Sequence, residues 1–278
     1  SFHRILRLIK GSRIDIIYLN SYVLWPVLIF RAKNVKYIIH IREIIDRRKY
    51  PFITILSRHF IKKANAIICI DSISQKALSI KKAVIIRNPF NMELAINYRN
   101  REHEIREELG IPYDINIFSI IGRIEEVKGV DFLLEASEYI SNIMILVIGS
   151  VTKGYGKACY LKYKNNNKVK FVPPDTNIEK YYAITHSIIR GEGFLPLGRT
   201  VFEAIYSGCY AIIPKSDNDY IGEINDLINS SIYLYSARNL EDLIKTIEKV
   251  NKLERPRTTK YSNLDENFHD MEELIKSL

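Results

Sequence analysis

Glutamine is nearly missing from this sequence: Gln75 is the single one in 278 residues, while isoleucine fills about one position in six. Such a bias accompanies a thermophilic source or an AT-rich genome and says nothing about function. Cysteine is scarce too. Cys69, Cys159 and Cys209 are odd in number, far apart and without metal-ligand spacing. They imply no structural zinc and read as buried, small apolar side chains in a reducing compartment. Long hydrophobic runs are also lacking. The most apolar stretch, YVLWPVLIF at 22–30, is too short to span a bilayer, and nothing at the start has the form of a signal peptide. The expectation is a soluble, cytoplasmic protein without solenoid repeats or low-complexity tracts.

The net charge of +9 is unevenly placed. Residues 1–97 carry 18 Lys and Arg against 5 Asp and Glu, whereas the remainder carries 23 against 27. A basic first part points to an anionic partner such as a membrane surface, a phosphorylated lipid or nucleic acid; a solvated basic face with no partner is the alternative.

Helical stretches alternate with short runs of β-branched residues throughout. The runs IDIIYLN (14–20), KYIIH (36–40), AIICIDS (66–72) and AVIIRNPF (83–90) come first. After them come INIFSIIGR (115–123), IMILVIGS (143–150), VKFVPP (169–174), YAIIPKSD (210–217) and SIYLYS (231–236). Four to six apolar residues ending in a polar or small one is how buried parallel strands read. Helices are predicted over FHRILRLIK (2–10), around 21–33, and near 52–63, 129–140, 177–185, 239–252 and 265–277. Residues 151–168 read as a loop and 91–110 as a polar interlobe connection. The architecture predicted is α/β with two Rossmann-like, doubly wound lobes. The domains are a truncated N-terminal lobe, 1–97, a second Rossmann-like lobe, 98–264, and a C-terminal helix, 265–278, packing back toward the first lobe. The N-terminal lobe is expected to be incomplete, because it reaches its first strand without an opening glycine-rich turn.

Two segments carry chemistry. In IIGRIEEVKG (120–129), Gly122 ends a strand and is followed by Arg123 and Lys128; two cations at that edge suit a diphosphate, although basic residues after a strand are commonly just solvated. In GEGFLPLGRTVFEAIYSG (191–208), Gly198, Arg199 and Thr200 fall where a helix begins, so their amides can bind a phosphate. Glu203 lies one turn further on. A carboxylate there accepts hydrogen bonds from two adjacent hydroxyls, as on a ribose, or simply complements the positive helix end.

IIGRIEEVKGVDFLLEA resembles the "GR…KG…LLEA" segment of retaining family 4 glycosyltransferases with the GT-B fold, and GRTVFEAIYSGCYAIIPKSDNDYIGEI resembles their "GRTxxEAxxxGxxVI…D…EI" segment. IICIDSISQKAL and VIIRNPF are similar to the family's lead into the interlobe hinge, so the resemblance covers roughly residues 14–277. It implies that Arg123 and Lys128 bind the donor diphosphate beside Gly122, that Glu203 holds the ribose, and that the Gly198, Arg199 and Thr200 amides touch a phosphate. Val172 would border the base. His40, closing a strand, would face the donor sugar or the reacting hydroxyl, with Arg42 and Glu43 beside it. The family has two glutamates with seven residues between them, and the position eight before Glu203 is Leu195. Either LPL (195–197) is an insertion that still presents Glu192 to the sugar, or that glutamate is gone.

The resemblance thus implies transfer of a sugar from a UDP- or GDP-linked donor to a glycan, lipid-linked or protein acceptor, with retention and without a metal or other cofactor. Asp217-Asn218-Asp219 reads as a turn and not as a metal-binding D-x-D. The basic stretch at 47–63 would contact an anionic membrane, at the inner face of the cell membrane. Nucleic acid is not expected, since no aromatic and basic interleaving marks a strand groove. The alternative reading is a catalytically degenerate GT-B-fold binding module.

Overall fold

The computed structural model describes residues 13–43, 50–191, 198–215, 230–256 and 262–278. The helix predicted over 2–10, the candidate Glu192 and the 217–219 triplet lie outside the described residues. The chain divides into two compact units, Ser1–Pro89 with Asn263–Leu278, and Phe90–Ser262. The sequence reading put the change at 97–98. In the structure it falls at Phe90, because Phe90, Met92 and Ala95 are buried in the core of the second unit with Tyr182, Val201 and Ala204.

The first unit holds a parallel sheet of β1 (Ile16–Leu19), β2 (Lys36–Ile41), β3 (Ala66–Cys69) and β4 (Val84–Ile85), in that order. Alternation along β2 sends Tyr37, Ile39 and Ile41 into one core with Leu28 and Ile61, and Ile38 to the other face. On that other face Met271 and Leu274 of the C-terminal helix, Leu264–Lys276, pack against Ile38, Ile68 and Ile86. Asn263 and Asn267 fasten this helix by donating to the carbonyls of Asn88 and Arg87 at 3.1 and 2.6 Å. The stretch around 21–33 is a 3-10 helix, Tyr22–Phe30, not an α-helix. Its backbone follows Pro26, which cannot donate, and it starts where the Ser21 hydroxyl accepts from Val23 N–H. The α-helices of this part are α1 (Pro51–Ile61) and α2 (Ser72–Leu78), the latter capped by Asp71, whose carboxylate accepts from Ser74 N–H at 2.6 Å.

The second unit is a six-stranded parallel sheet ordered β10-β9-β8-β5-β6-β7. Its strands are β5 (Asn116–Ile121), β6 (Ile143–Ile148), β7 (Val169–Val172), β8 (Ser187–Ile189), β9 (Tyr210–Pro214) and β10 (Ile232–Tyr235). Every residue of β6 is buried, as expected for a strand covered on both faces. The helices are α3 (Glu93–Arg99), α4 (Glu102–Glu108), α5 (Val130–Glu135), α6 (Tyr155–Tyr163), α7 (Glu179–Ile184), α8 (Arg199–Tyr206) and α9 (Leu240–Asn251).

Three features depart from the sequence reading. Residues 151–168 contain α6, which the Lys, Gly and Asn content disguised; its buried stripe is Gly156, Cys159 and Tyr163. Gly156 permits this close packing, since a Cβ there would lie 2.7 Å from the carbonyl oxygen of Ile124. The polar connection at 91–110 is helical, with Ala95 and Ile105 turned inward. Strand β8 was not read at all, being three residues long between a helix and a glycine-rich segment.

Two arginines tie this unit together through helix ends. Arg255 donates to the carbonyls of Ala183, Tyr182 and Gly208 at 2.6, 2.5 and 3.3 Å, and Arg99 donates to Ser207, Gly208 and Pro256 at 3.3, 3.4 and 3.2 Å. Apart from that of Pro256, these carbonyls lie in or just beyond the last turns of α7 and α8, where carbonyls run out of intrahelical donors. All three cysteines are buried thiols, and burial raises the pKa of Cys69 to about 12.

Candidate functional site

The order of the second sheet reverses beside β5. The chain runs outward through β6 and β7, then returns to the other side of β5 with β8, β9 and β10. In an open parallel sheet the carboxyl ends of the strands flanking such a switch point diverge their loops and leave a crevice. Here those strands are β5 and β8, and the loops are the two segments singled out in the sequence.

Gly122 follows β5 with φ +124°, a conformation that side chains disfavour. The Lys128 ammonium folds back over it, and a Cβ on Gly122 would come within 2.5 Å of Nζ. Gly122 also supports the next strand's end. A Cβ on Gly149, which follows β6, would lie 2.0 Å from the Gly122 carbonyl oxygen. The loop after β5 meets the loop after β8 backbone to backbone: a Cβ on Gly191 would sit 2.5 Å from the Lys128 carbonyl oxygen and 3.1 Å from that of Gly129. Gly129 turns the chain into α5 at φ +58°. Four glycines therefore bring the two loops together and leave the Lys128 side chain over the end of β5.

Other cations collect at the same edge. Arg123 is exposed and pairs with Glu125 at 3.2 Å. Arg190, directly after β8, sets its guanidinium where a Cβ on Gly198 would approach to 2.9 Å, and Arg238, left-handed at φ +61°, lies 3.6 Å from the corresponding position on Gly129. Sequence reasoning missed both arginines; a basic residue just past a strand's carboxyl end was the available signal for Arg190. Arg238 gave none, since its contact is made through the fold.

Helix α8 opens at Gly198, whose φ of +46° and ψ of 151° leave the amides that follow at a helix start without a side-chain cap. Thr200 lies in that first turn. Glu203, one turn in, is largely buried. Its Oε2 accepts from the Tyr182 hydroxyl at 2.9 Å and its Oε1 from Arg199 at 2.5 Å, with the Arg199 guanidinium lying 5.2 Å from the centre of the Phe90 ring. Burial and Glu203 together hold the Tyr182 hydroxyl protonated, its pKa raised well above the usual phenol value. Tyr182 was also missed, because nothing in the periodicity of 177–185 distinguishes it from core tyrosines. Val172 ends β7 at the same edge, buried, with its carbonyl accepting from Gly149 N–H at 3.1 Å.

His40 belongs to the first unit, near the end of β2, and is 5% exposed. Its Nδ1 meets the Tyr18 hydroxyl, while Nε2 is buried and has no partner among the described residues. Burial, helped by the Arg42 charge, lowers its pKa to about 4, so the imidazole is neutral at pH 7. Whether Tyr18 donates to Nδ1 or accepts from it depends on the tautomer, and in either case Nε2 is a buried ring nitrogen whose hydrogen-bonding capacity is unused. Arg42 donates to Asn20 and Asn88 at 3.2 and 2.7 Å, and Glu43 accepts from the Ser21 hydroxyl and Tyr22 N–H, both at 2.9 Å. Because the unfolded chain binds a proton near pH 6.5 and folded His40 only near 4, stability is expected to fall as pH drops through that window, by up to about 3 kcal/mol. His186, buried against the Val250 carbonyl with its pKa also lowered, acts in the same direction. Urea unfolding at pH 7 and pH 4.5 measures the slope, and His40→Gln is expected to remove the larger part of it.

The fold and this edge define a class, the two-lobed GT-B proteins. By sequence the chain belongs to the family described as Glycosyl transferases group 1, whose profile matches residues 101–268. Comparison with curated proteins gave no sequence match. Among solved structures it is similar to HepE from Anabaena, at 16% identity and a TM-score of 0.78 over 100% of this chain and 81% of that one. Sucrose-phosphate synthase from Thermosynechococcus elongatus gives 15% and 0.74, over 95% and 73%. A glycosyltransferase from Rickettsia africae gives 18% and 0.66, over 90% and 69%. The chain is a glycosyltransferase of this family.

Proposed function

We propose that the chain transfers a sugar from a UDP- or GDP-sugar to a hydroxyl of a glycan, lipid-linked or protein acceptor, with retention at the anomeric carbon, in the cytoplasm at the inner face of the cell membrane. The observation that carries this reading is the glycine-built junction of the β5 and β8 loops, which holds Lys128 over the strand end with Arg123 and Arg190 nearby. HepE has been solved with UDP and with UDP-glucose, which supports a nucleotide-sugar donor here.

In this mechanism Lys128, Arg123 and the amides of Gly198, Arg199 and Thr200 take up the charge that builds on the departing diphosphate, which lowers the barrier without a metal. Glu203 accepts from the ribose hydroxyls; a carboxylate has about four lone-pair sites, so Arg199 and Tyr182 leave capacity. Val172 borders the base, and Glu192 and His40 serve the donor sugar and the reacting hydroxyl.

A second reading, a binding module without transfer, has one observation in its favour: Glu203 is already engaged on both oxygens. A thermal-shift panel with UDP, GDP, ADP and their sugar conjugates tests the donor site. A selective rise in melting temperature is expected, and no rise with any nucleotide would count against the donor site and favour the module. Slow hydrolysis of the stabilising donor, followed by NMR of the released anomer, then separates enzyme from module.

A further inference from the structure

Helix α1 is amphipathic in the unusual sense. Its buried positions include Thr54 and Ser57, polar residues whose hydroxyls donate back to the carbonyls of Tyr50 and Thr54 at 2.9 and 3.0 Å. Its solvent face carries Phe52 at 85% exposure, Ile55 at 70% and Leu56 at 49%, spaced so that all three lie on one side. A water-facing helix ordinarily shows charge at such positions. The 3-10 helix Tyr22–Phe30 packs alongside, through Trp25 stacked on Phe60 at 6.0 Å and the Tyr22 hydroxyl on Ser57, and adds exposed Val23, Ile29 and Phe30.

Along α1 itself the charge has one sign, whereas Glu43 sits at the start of the neighbouring 3-10 helix, tied to Ser21 and Tyr22. No acidic residue occurs from Tyr50 to Ile70, while Arg58, Lys62 and Lys63 close the helix. Arg31 donates to the Lys63 carbonyl, which keeps its guanidinium at the same end. Between Phe52 and Leu56 the exposed side chains offer no hydrogen-bonding group, so the face has no directional element for a specific protein partner to read. A surface that is apolar inside and anionic at its boundary matches both features, and the combination of the two is what makes such attachment stable.

We infer that α1 docks on an anionic lipid bilayer, with Phe52, Ile55 and Leu56 entering the boundary between headgroups and acyl chains and Lys62 and Lys63 facing the headgroups. This is a membrane-attachment site separate from the transfer chemistry. The intact protein is tested by flotation with vesicles of phosphatidylcholine alone and of phosphatidylcholine mixed with phosphatidylglycerol. Binding to the mixed vesicles only is expected, weakening with salt. Phe52→Ser combined with Ile55→Ser should lower partitioning at least about tenfold, and Lys62→Ala combined with Lys63→Ala by roughly tenfold to thirtyfold. Both double variants change exposed residues, so unchanged melting temperatures verify folding. Lys128→Ala should bind vesicles like the parent, which keeps a failure of the donor site distinct from a failure of docking. Three results would overturn the inference: no binding to either vesicle, binding indifferent to Phe52 and Ile55, or a homodimer in sedimentation equilibrium that the Phe52→Ser, Ile55→Ser variant dissociates. The last would assign the face to a second copy of the chain.

Discussion

Replacing Lys128 with alanine is expected to weaken nucleotide affinity roughly hundredfold, about 2.7 kcal/mol, with no loss of folding stability. The size follows from the geometry. The ammonium lies over Gly122 at the switch-point edge, and in the proposed donor site it would make one charge-assisted contact to a phosphate oxygen in a half-buried setting. Two companion variants make the prediction specific. Gly122→Ala adds a Cβ 2.5 Å from Nζ and must push the ammonium aside, so it should reproduce much of the Lys128→Ala effect while Lys128 is still present. Lys128→Arg keeps the charge but replaces a compact ammonium with a planar fork, and should restore only part of the affinity. Isothermal titration with the nucleotide picked out by thermal shift measures all three. Unchanged affinity in both Lys128→Ala and Gly122→Ala would remove Lys128 from the site.

The second large effect is structural. Gly149→Ala places a methyl group 2.0 Å from the Gly122 carbonyl oxygen and 2.6 Å from its carbonyl carbon, both backbone atoms of a core strand end. Neither can yield without moving β5 against β6, so a loss of at least about 3 kcal/mol is expected, a large share of a typical folding stability. Gly110→Ala is the control. Gly110 also has a positive φ, of +60°, but nothing lies within 4 Å of its added methyl. It should cost only the backbone preference, about 1 kcal/mol. Urea unfolding of the two variants separates close approach from conformational preference.

Strands β1, β2, β3, β5, β6, β7, β9 and β10 were legible because each is a run of apolar, mostly β-branched residues broken by a polar or small one. That is a local signal of burial on both faces. Strand β8 was not, since three residues are too few to set a period, and α6 was hidden because lysines and asparagines surround its buried stripe of Gly156, Cys159 and Tyr163. At the candidate site, the residues that lie next to each other in sequence were found: Gly122 with Lys128, and Gly198 with Glu203. What escaped were partners supplied from elsewhere in the chain. Tyr182 reaches Glu203 from α7, Arg190 reaches Gly198 across the segment between them, and Tyr18 reaches His40 from β1. Contacts of that kind depend on strand order, which no local pattern encodes.

Arg255 and Arg99 give the second unit a property that concerns time and not equilibrium. Their bonds to the carbonyls at the ends of α7 and α8 join positions 47 to 109 residues apart, drawing on both ends of the unit's sequence. Closing such long loops is costly in entropy before any contact repays it, so these bonds are expected to form late in folding. Interactions made after the transition state for folding act mainly on the escape rate. The two guanidinium groups are therefore brakes on unfolding: they add little to how fast the unit folds and much to how long it stays folded.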